Sequence, residues 1–163
     1  MKKIILIVIS IFIMIGCDIA NTPTSKVEDY LSRYQRLDDD VSLSYVQLSF
    51  DEDINDEYIK KYQKLIEKQY KSLSYEIKDE EIDGENANVN VQIKVFDYSE
   101  VLNKYYEEDY SNDEYHKTII NELEKQKDKV IYTVMFELKL DNKDNWQVQE
   151  LSLDDQRKLL GIN

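Results

Sequence analysis

Two stretches of this 163-residue chain alternate apolar and polar residues, and this period of two constrains the fold more than any other feature. The apolar positions are Ala87, Val89, Val91, Ile93 and Val95 in the first stretch, and Val130, Tyr132, Val134, Phe136, Leu138 and Leu140 in the second. Because successive side chains of a strand point to opposite faces, each stretch predicts a strand with one buried face. Other elements of the chain must cover those two faces.

Each alternating stretch forms part of a predicted hairpin. Leu73 to Ile77 also alternate, and Asp83-Gly84 before the first stretch is a tight-turn signal. After the second stretch, residues 141–145 are a predicted turn, and Trp146 to Val148 return as a short strand. The sequence therefore predicts about four antiparallel strands in two hairpins.

Helical segments lie before, between and after these hairpins, because their apolar residues recur at three- and four-residue spacing. They are a helix beginning at the capping box Ser25-Lys26-Val27-Glu28, a long helix capped by Asp53 or Asn55, the segment Tyr98 to Lys125 with a break at Ser111 to Asp113, and a final helix from Ser152 to Leu160 that Gly161 ends. Val41 to Phe50 fits a strand as well as a loose helix, and loose helix is favoured.

The order of these elements predicts the fold class. N-terminal helices precede two hairpins, and a helical segment separates the hairpins, which indicates an α+β domain with helices packed on a curved antiparallel sheet. The 146 residues that follow Cys17 are enough for one domain, assigned to residues 24–163.

The first sixteen residues have the features of an export signal. Lys2 and Lys3 precede an apolar run from Ile4 to Ile15, which only Ser10 interrupts. Twelve helical residues rise about 18 Å, whereas a spanning helix must cross about 30 Å of hydrocarbon. Residues 1–16 are therefore interpreted as a signal peptide that is removed.

The signal ends in Met14-Ile15-Gly16-Cys17, which resembles a bacterial lipobox. The resemblance implies cleavage between Gly16 and Cys17, a diacylglyceryl group on Cys17, and attachment to the cell membrane outside the cytoplasm. Two acyl chains suffice for stable anchoring, and Cys17 is the single cysteine, so lipidation also explains an otherwise odd thiol. Residues 17–23 would form the lipidated cysteine and tether. The alternative is an ordinary signal peptide or an uncleaved anchor.

The charge of the chain excludes one class of partner. Of the 21 Lys and Arg residues only Lys2 and Lys3 lie in the signal, so the remainder carries a net charge of −15. Such a domain repels phosphate backbones, and no nucleic-acid partner is expected. Solubility explains the acidity more simply than a surface for cations or a basic partner.

Residues with catalytic or metal-binding chemistry form no recognisable pattern. His116, the single histidine, stands among charged residues and is predicted to lie on a solvated helix face. The clusters of carboxylates lack the spacing of an EF-hand, and the three glycines form no phosphate-binding loop. We therefore expect no enzyme activity, no metal and no cofactor apart from the lipid on Cys17.

Four tyrosines interleave with acidic residues in the middle helical segment: Tyr105, Tyr106, Tyr110 and Tyr115. Tyrosine is enriched at interfaces because it joins apolar area to a polar tip. These residues are a candidate interaction surface, although packing between helices is the simpler explanation.

Three segments, Tyr75-Glu-Ile-Lys-Asp79, Ile82-Asp-Gly-Glu85 and Trp146-Gln-Val-Gln-Glu-Leu151, resemble small lipoproteins of low-GC Gram-positive bacteria, which are usually of unassigned function. The resemblance implies a cystatin-like or nuclear-transport-factor-like domain, in which a curved sheet wraps a long helix. Such a fold serves many functions. The leading expectation is a non-catalytic module that binds an envelope protein or small ligand. A structural or cation-responsive module is the alternative, and a carboxylate-dependent enzyme is a third possibility.

Overall fold

The structure is a computed structural model, and it describes residues 21–38, 54–105 and 112–163. The predictions made for Gly16 and Cys17, for residues 41–50, and for Tyr106 and Tyr110 lie outside these ranges. Within them, no helix is both long and apolar enough to cross a membrane.

Five helices and four strands make up this part of the chain. The helices are α1 (Pro23–Arg36), α2 (Asp56–Ser72), α3 (Tyr98–Tyr105), α4 (Asn112–Lys125) and α5 (Leu153–Leu160), and the strands are β1 (Ser74–Asp83), β2 (Asn86–Phe96), β3 (Lys129–Leu140) and β4 (Trp146–Val148). Caps explain several bounds: Asn55 accepts from the first-turn amides of α2, Ser152 caps α5, and Gly161 ends α5 in the left-handed conformation.

The strands form one antiparallel sheet in the order β1-β2-β3-β4. The two predicted hairpins are present, and β2 pairs with β3 along its whole length, from Asn86 opposite Lys139 to Phe96 opposite Lys129. The α+β class, with helices packed on an antiparallel sheet in a single domain, is confirmed.

A bulge in β1 changes which residues face the helices. Ile77 lies opposite Val91, but Asp79 lies opposite Asn90, so Lys78 is an extra residue. Beyond the bulge, Glu80 lies opposite the inward-facing Val89. Glu80 is thereby on the side of the sheet that α1 covers.

Helix α1 begins earlier than predicted. Thr22 is its N-cap, Thr22 and Ser25 form the capping box, and Pro23 occupies the first turn. The predicted capping box, Ser25 to Glu28, was therefore wrong. Proline is well suited to the first helical position, since the amide it lacks has no partner within the helix.

The first hydrophobic core fills the space between the sheet and the helices α1, α2 and α5, and we call it the sheet core. Its members without exposed surface are Val27, Leu31, Val89, Val91, Ile93, Val95, Val134 and Phe136. Trp146 on β4 belongs to it and is 8% exposed. Burial of this set on one face accounts for the alternation in the sequence.

A second core lies between α2, α3 and α4, and we call it the tyrosine core. Its buried members are Tyr58, Tyr62, Leu65, Tyr98, Ile119, Ile120 and Leu123. Phe96, the last residue of β2, packs against it, which places this core at that end of the sheet.

Gln69 of α2 joins the two cores. It has no exposed surface; its side-chain amide donates to the carbonyls of Phe96 and Leu160, and its oxygen accepts from the amide of Phe96. Gly161 lies against the same residues, and a Cβ there would collide with the Phe96 carbonyl. Its left-handed φ of +70° also favours glycine.

Candidate functional site

A groove of about 750 Å³ lies between α2 and α4, on the outside of the tyrosine core. Its lining residues are Tyr58, Lys61, Glu114, Lys117, Thr118, Ile120, Asn121 and Glu124. Two lysines and two glutamates leave this lining without net formal charge, although the whole chain carries −13. The groove therefore presents positively and negatively charged groups side by side, on a protein that is otherwise strongly acidic.

Tyr58 fixes one wall of the groove. Its hydroxyl donates to the Asp113 carboxylate at 2.7 Å, and this hydrogen bond raises the pKa of Tyr58. Lys61 lies over the Tyr58 ring and forms a 2.7 Å ion pair with Glu57, one turn earlier on α2. The hydrogen bond from Tyr58 to Asp113 thus ties this wall to the first turn of α4.

His116 lies behind the groove, in the tyrosine core. Only 7% of its surface is exposed, and its Nδ1 lies 3.0 Å from the hydroxyl of Tyr62. The rings of Tyr58, Tyr62 and Tyr115 surround it, with centroids 5.4 to 5.9 Å away. The prediction that His116 occupies a solvated helix face was therefore wrong.

The residue spacing in α4 indicates that His116 is buried, although its charged neighbours suggest exposure. His116 precedes Ile119, Ile120 and Leu123 by three, four and seven residues, which places it on their face of the helix. Because this face packs against α2, His116 is buried with it. The flanking charged residue Lys117 is exposed.

Burial lowers the pKa of His116, and the nearby Asp113 opposes the shift in part. The imidazole is therefore neutral at pH 7 and suited to hydrogen bonding with Tyr62. The groove itself presents ammonium, carboxylate, hydroxyl and amide groups, which favour binding of a polar ligand through several hydrogen bonds.

The two described members of the candidate tyrosine surface, Tyr105 and Tyr115, are half-buried and pack against the tyrosine core. Lys104 lies over the ring of Tyr105. Helix packing thus uses part of the area that these two rings would offer to a partner.

In the described ranges, no group of three or more His, Cys, Asp or Glu residues is arranged to hold a metal ion. Neither a family model, nor a curated protein, nor a solved structure matches this chain.

Proposed function

We propose that this protein is a lipoprotein held at the outer face of the cell membrane by lipid on Cys17, where its domain acts as a non-catalytic binding module. The observation that carries the anchor is the sequence Met14-Ile15-Gly16-Cys17 directly after the apolar run. The absence of any second cysteine in the sequence supports it, since this thiol has no partner for an internal disulfide.

Replacement of the cysteine tests the anchor. Cys17→Ser should leave a precursor that retains residues 1–16 and incorporates no labelled fatty acid, whereas the native chain incorporates it. Mass spectrometry of both proteins distinguishes precursor from mature chain. Normal maturation and membrane retention of Cys17→Ser would refute the proposal.

The α2–α4 groove is the binding site that we propose for the module. Side chains fill the sheet core, whereas the groove is open and lined by polar groups, and a hydrogen bond to Asp113 fixes its Tyr58. A polar protein segment or a small polar ligand at the cell envelope fits this lining better than an apolar one.

A photo-cross-linking residue at Asn121, in the groove, tests this site in living cells. The matched control carries the same residue at Asn88, which is exposed on the outer face of the sheet. A single adduct formed from Asn121 but not from Asn88, and lost in Lys117→Glu, would support a binding site in the groove. Equal labelling from both positions would contradict it.

A structural or cation-responsive module is the second candidate, and the filled sheet core favours it. In that case neither position captures a discrete species. Divalent cations should then change the thermal stability of the acidic domain, which a melting curve with and without Ca²⁺ measures.

A further inference from the structure

The first residues of the described chain are fastened to one end of the sheet. The side-chain amide of Asn21 donates to the carbonyl of Asp144 at 2.5 Å, and its oxygen accepts from the amide of Trp146 at 3.1 Å. Asp144 belongs to the connection between β3 and β4, and Trp146 is the first residue of β4. The chain therefore enters the domain beside this turn.

The first turn of α1 is bound at the same end of the sheet, but to strand β1. Thr24 donates its backbone amide and its hydroxyl to the Glu80 carboxylate, at 2.9 and 2.7 Å. The bulge in β1 turns Glu80 to face α1, and a carboxylate beside a helix N-terminus is favourable. Residues 21–24 are thus held between β1 and the β3–β4 turn.

Both hairpin turns lie at this end of the sheet. The amide of Leu140, at the end of β3, donates to the carbonyl of Glu85 in the β1–β2 turn. Helix α1 then runs to the opposite end, where Gln35 donates to the carbonyl of Leu73. The eleven residues of β2 separate the two ends by about 33 Å.

The tyrosine core lies at the opposite end, where β2 finishes in Phe96. The connection that leads from α4 into β3 is there too, because Asp97 donates its amide to the Asp128 carbonyl. The α2–α4 groove borders this core, so the groove belongs to the end away from the hairpin turns.

Only residues 18–20 separate Cys17 from the fastened Asn21, a path of at most about 15 Å when fully extended. We infer that the lipoprotein is oriented with both hairpin turns facing the bilayer. The tyrosine core and its groove then face away from the bilayer. This orientation rests on the proposed lipid anchor. The membrane-facing end carries Asp83, Glu85 and Asp144 against Lys143, and this excess of negative charge fits a zwitterionic bilayer rather than an anionic one.

Energy transfer from single labels to the bilayer surface tests the orientation. The full-length lipidated protein is placed in phosphatidylcholine vesicles that carry an acceptor dye on the headgroups. Lys143→Cys labels the β3–β4 turn and Lys127→Cys labels the opposite end; both side chains are exposed and both substitutions remove one positive charge. Because lipid occupies the thiol of Cys17, the introduced cysteine is the free thiol for the donor dye.

We expect transfer from position 143 to be several-fold more efficient than from position 127. In a further variant, about twelve Gly and Ser residues inserted after Ile19 let the domain turn freely, so the contrast should largely disappear. Equal transfer from the two positions of the native-length chain, or more efficient transfer from position 127, would overturn the orientation. A contrast that survives the insertion would overturn the role of the short tether in setting it.

The failure of the orientation and the failure of the anchor give different results. A purified chain without the mass of a diacylglyceryl group would refute the proposed anchor before vesicles are used, and the orientation would fall with it. A lipidated chain that floats with vesicles but shows equal transfer would refute the orientation alone.

Discussion

The sheet core and the tyrosine core both bury side chains between packed elements, but they do so with different residue types. The sheet core consists mainly of Val, Ile, Leu and Phe, whose side chains need no hydrogen-bond partner, and its two buried tyrosines, Tyr34 and Tyr70, pack against each other where α1 meets α2. The tyrosine core buries Tyr58, Tyr62 and Tyr98 together with His116, and each of these side chains makes a hydrogen bond. Two neighbouring parts of one small domain thus differ in polarity.

This difference shows how each core specifies its geometry. In the sheet core, strand register decides which side chains are buried, and close packing supplies the stability. In the tyrosine core, polar tips must also meet their partners, because a buried polar group without one costs about 1–3 kcal/mol. We therefore expect the sheet core to be sensitive to lost volume and the tyrosine core to lost hydrogen bonds and to pH.

The largest effect is expected in the sheet core. Phe136→Ala removes a side chain without exposed surface and should lower the free energy of unfolding by about 3–5 kcal/mol, because a cavity is left. Met135 is the matched control, since it is the next residue on β3 and is 43% exposed. Met135→Ala should cost less than about 1 kcal/mol. Chemical denaturation measures both, and similar losses would contradict the assigned faces of β3.

The second-largest loss of stability is expected at Gln69, which joins the two cores. Gln69→Leu keeps the approximate volume but removes three hydrogen bonds to the main chain of Phe96 and Leu160. We expect a loss of about 2–4 kcal/mol in urea unfolding, because buried main-chain groups lose their partner. Gln147→Leu, on the exposed part of β4, is the control and should be nearly neutral. A neutral Gln69→Leu would mean that this residue does not join the cores.

A smaller effect is expected from one hydroxyl of the tyrosine core. Tyr62→Phe removes the buried hydrogen bond to His116 and should cost about 1 kcal/mol. Tyr132→Phe removes an exposed hydroxyl beside the sheet core and should change stability by less than about 0.5 kcal/mol. Thermal unfolding of the two variants gives the comparison. A larger cost at Tyr132 would reverse the proposed contrast between the cores.

The pH dependence of the free energy of unfolding tests the contribution of His116 to the tyrosine core, and this effect changes gradually with pH. The pKa of His116 is lowered in the folded protein, so the unfolded chain binds a proton more readily. The stabilisation is complete above the unfolded pKa of about 6.5 and is lost as the pH falls from there toward the folded pKa. The slope from this one group is at most about 1.4 kcal/mol per pH unit.

His116→Asn is the control for that experiment, because its side-chain amide remains close to the position of Nδ1 but does not titrate. Denaturation curves at several pH values should give a steeper acid-side loss for the native chain than for His116→Asn. Parallel curves would show that His116 does not titrate differently on folding, and hence that its burial does not couple stability to pH.

The sequence alone determined the local structure of most elements. The two alternating stretches became β2 and β3, Asn55 is one of the two residues predicted to cap α2, and Gly161 ends the last helix as predicted. These features depend on the period of the side chains and on hydrogen bonds between near neighbours in sequence, so they can be recognised without knowledge of the fold.

The tertiary structure alone decided which helix faces are covered and where distant segments meet. His116 is buried because α2 covers its face of α4, although Glu114 and Lys117 next to it suggested solvent. Asn21 and Thr24 meet the β3–β4 turn and Glu80 because α1 lies along the sheet and a bulge redirects β1. Such contacts join residues more than fifty positions apart, and no local period encodes them.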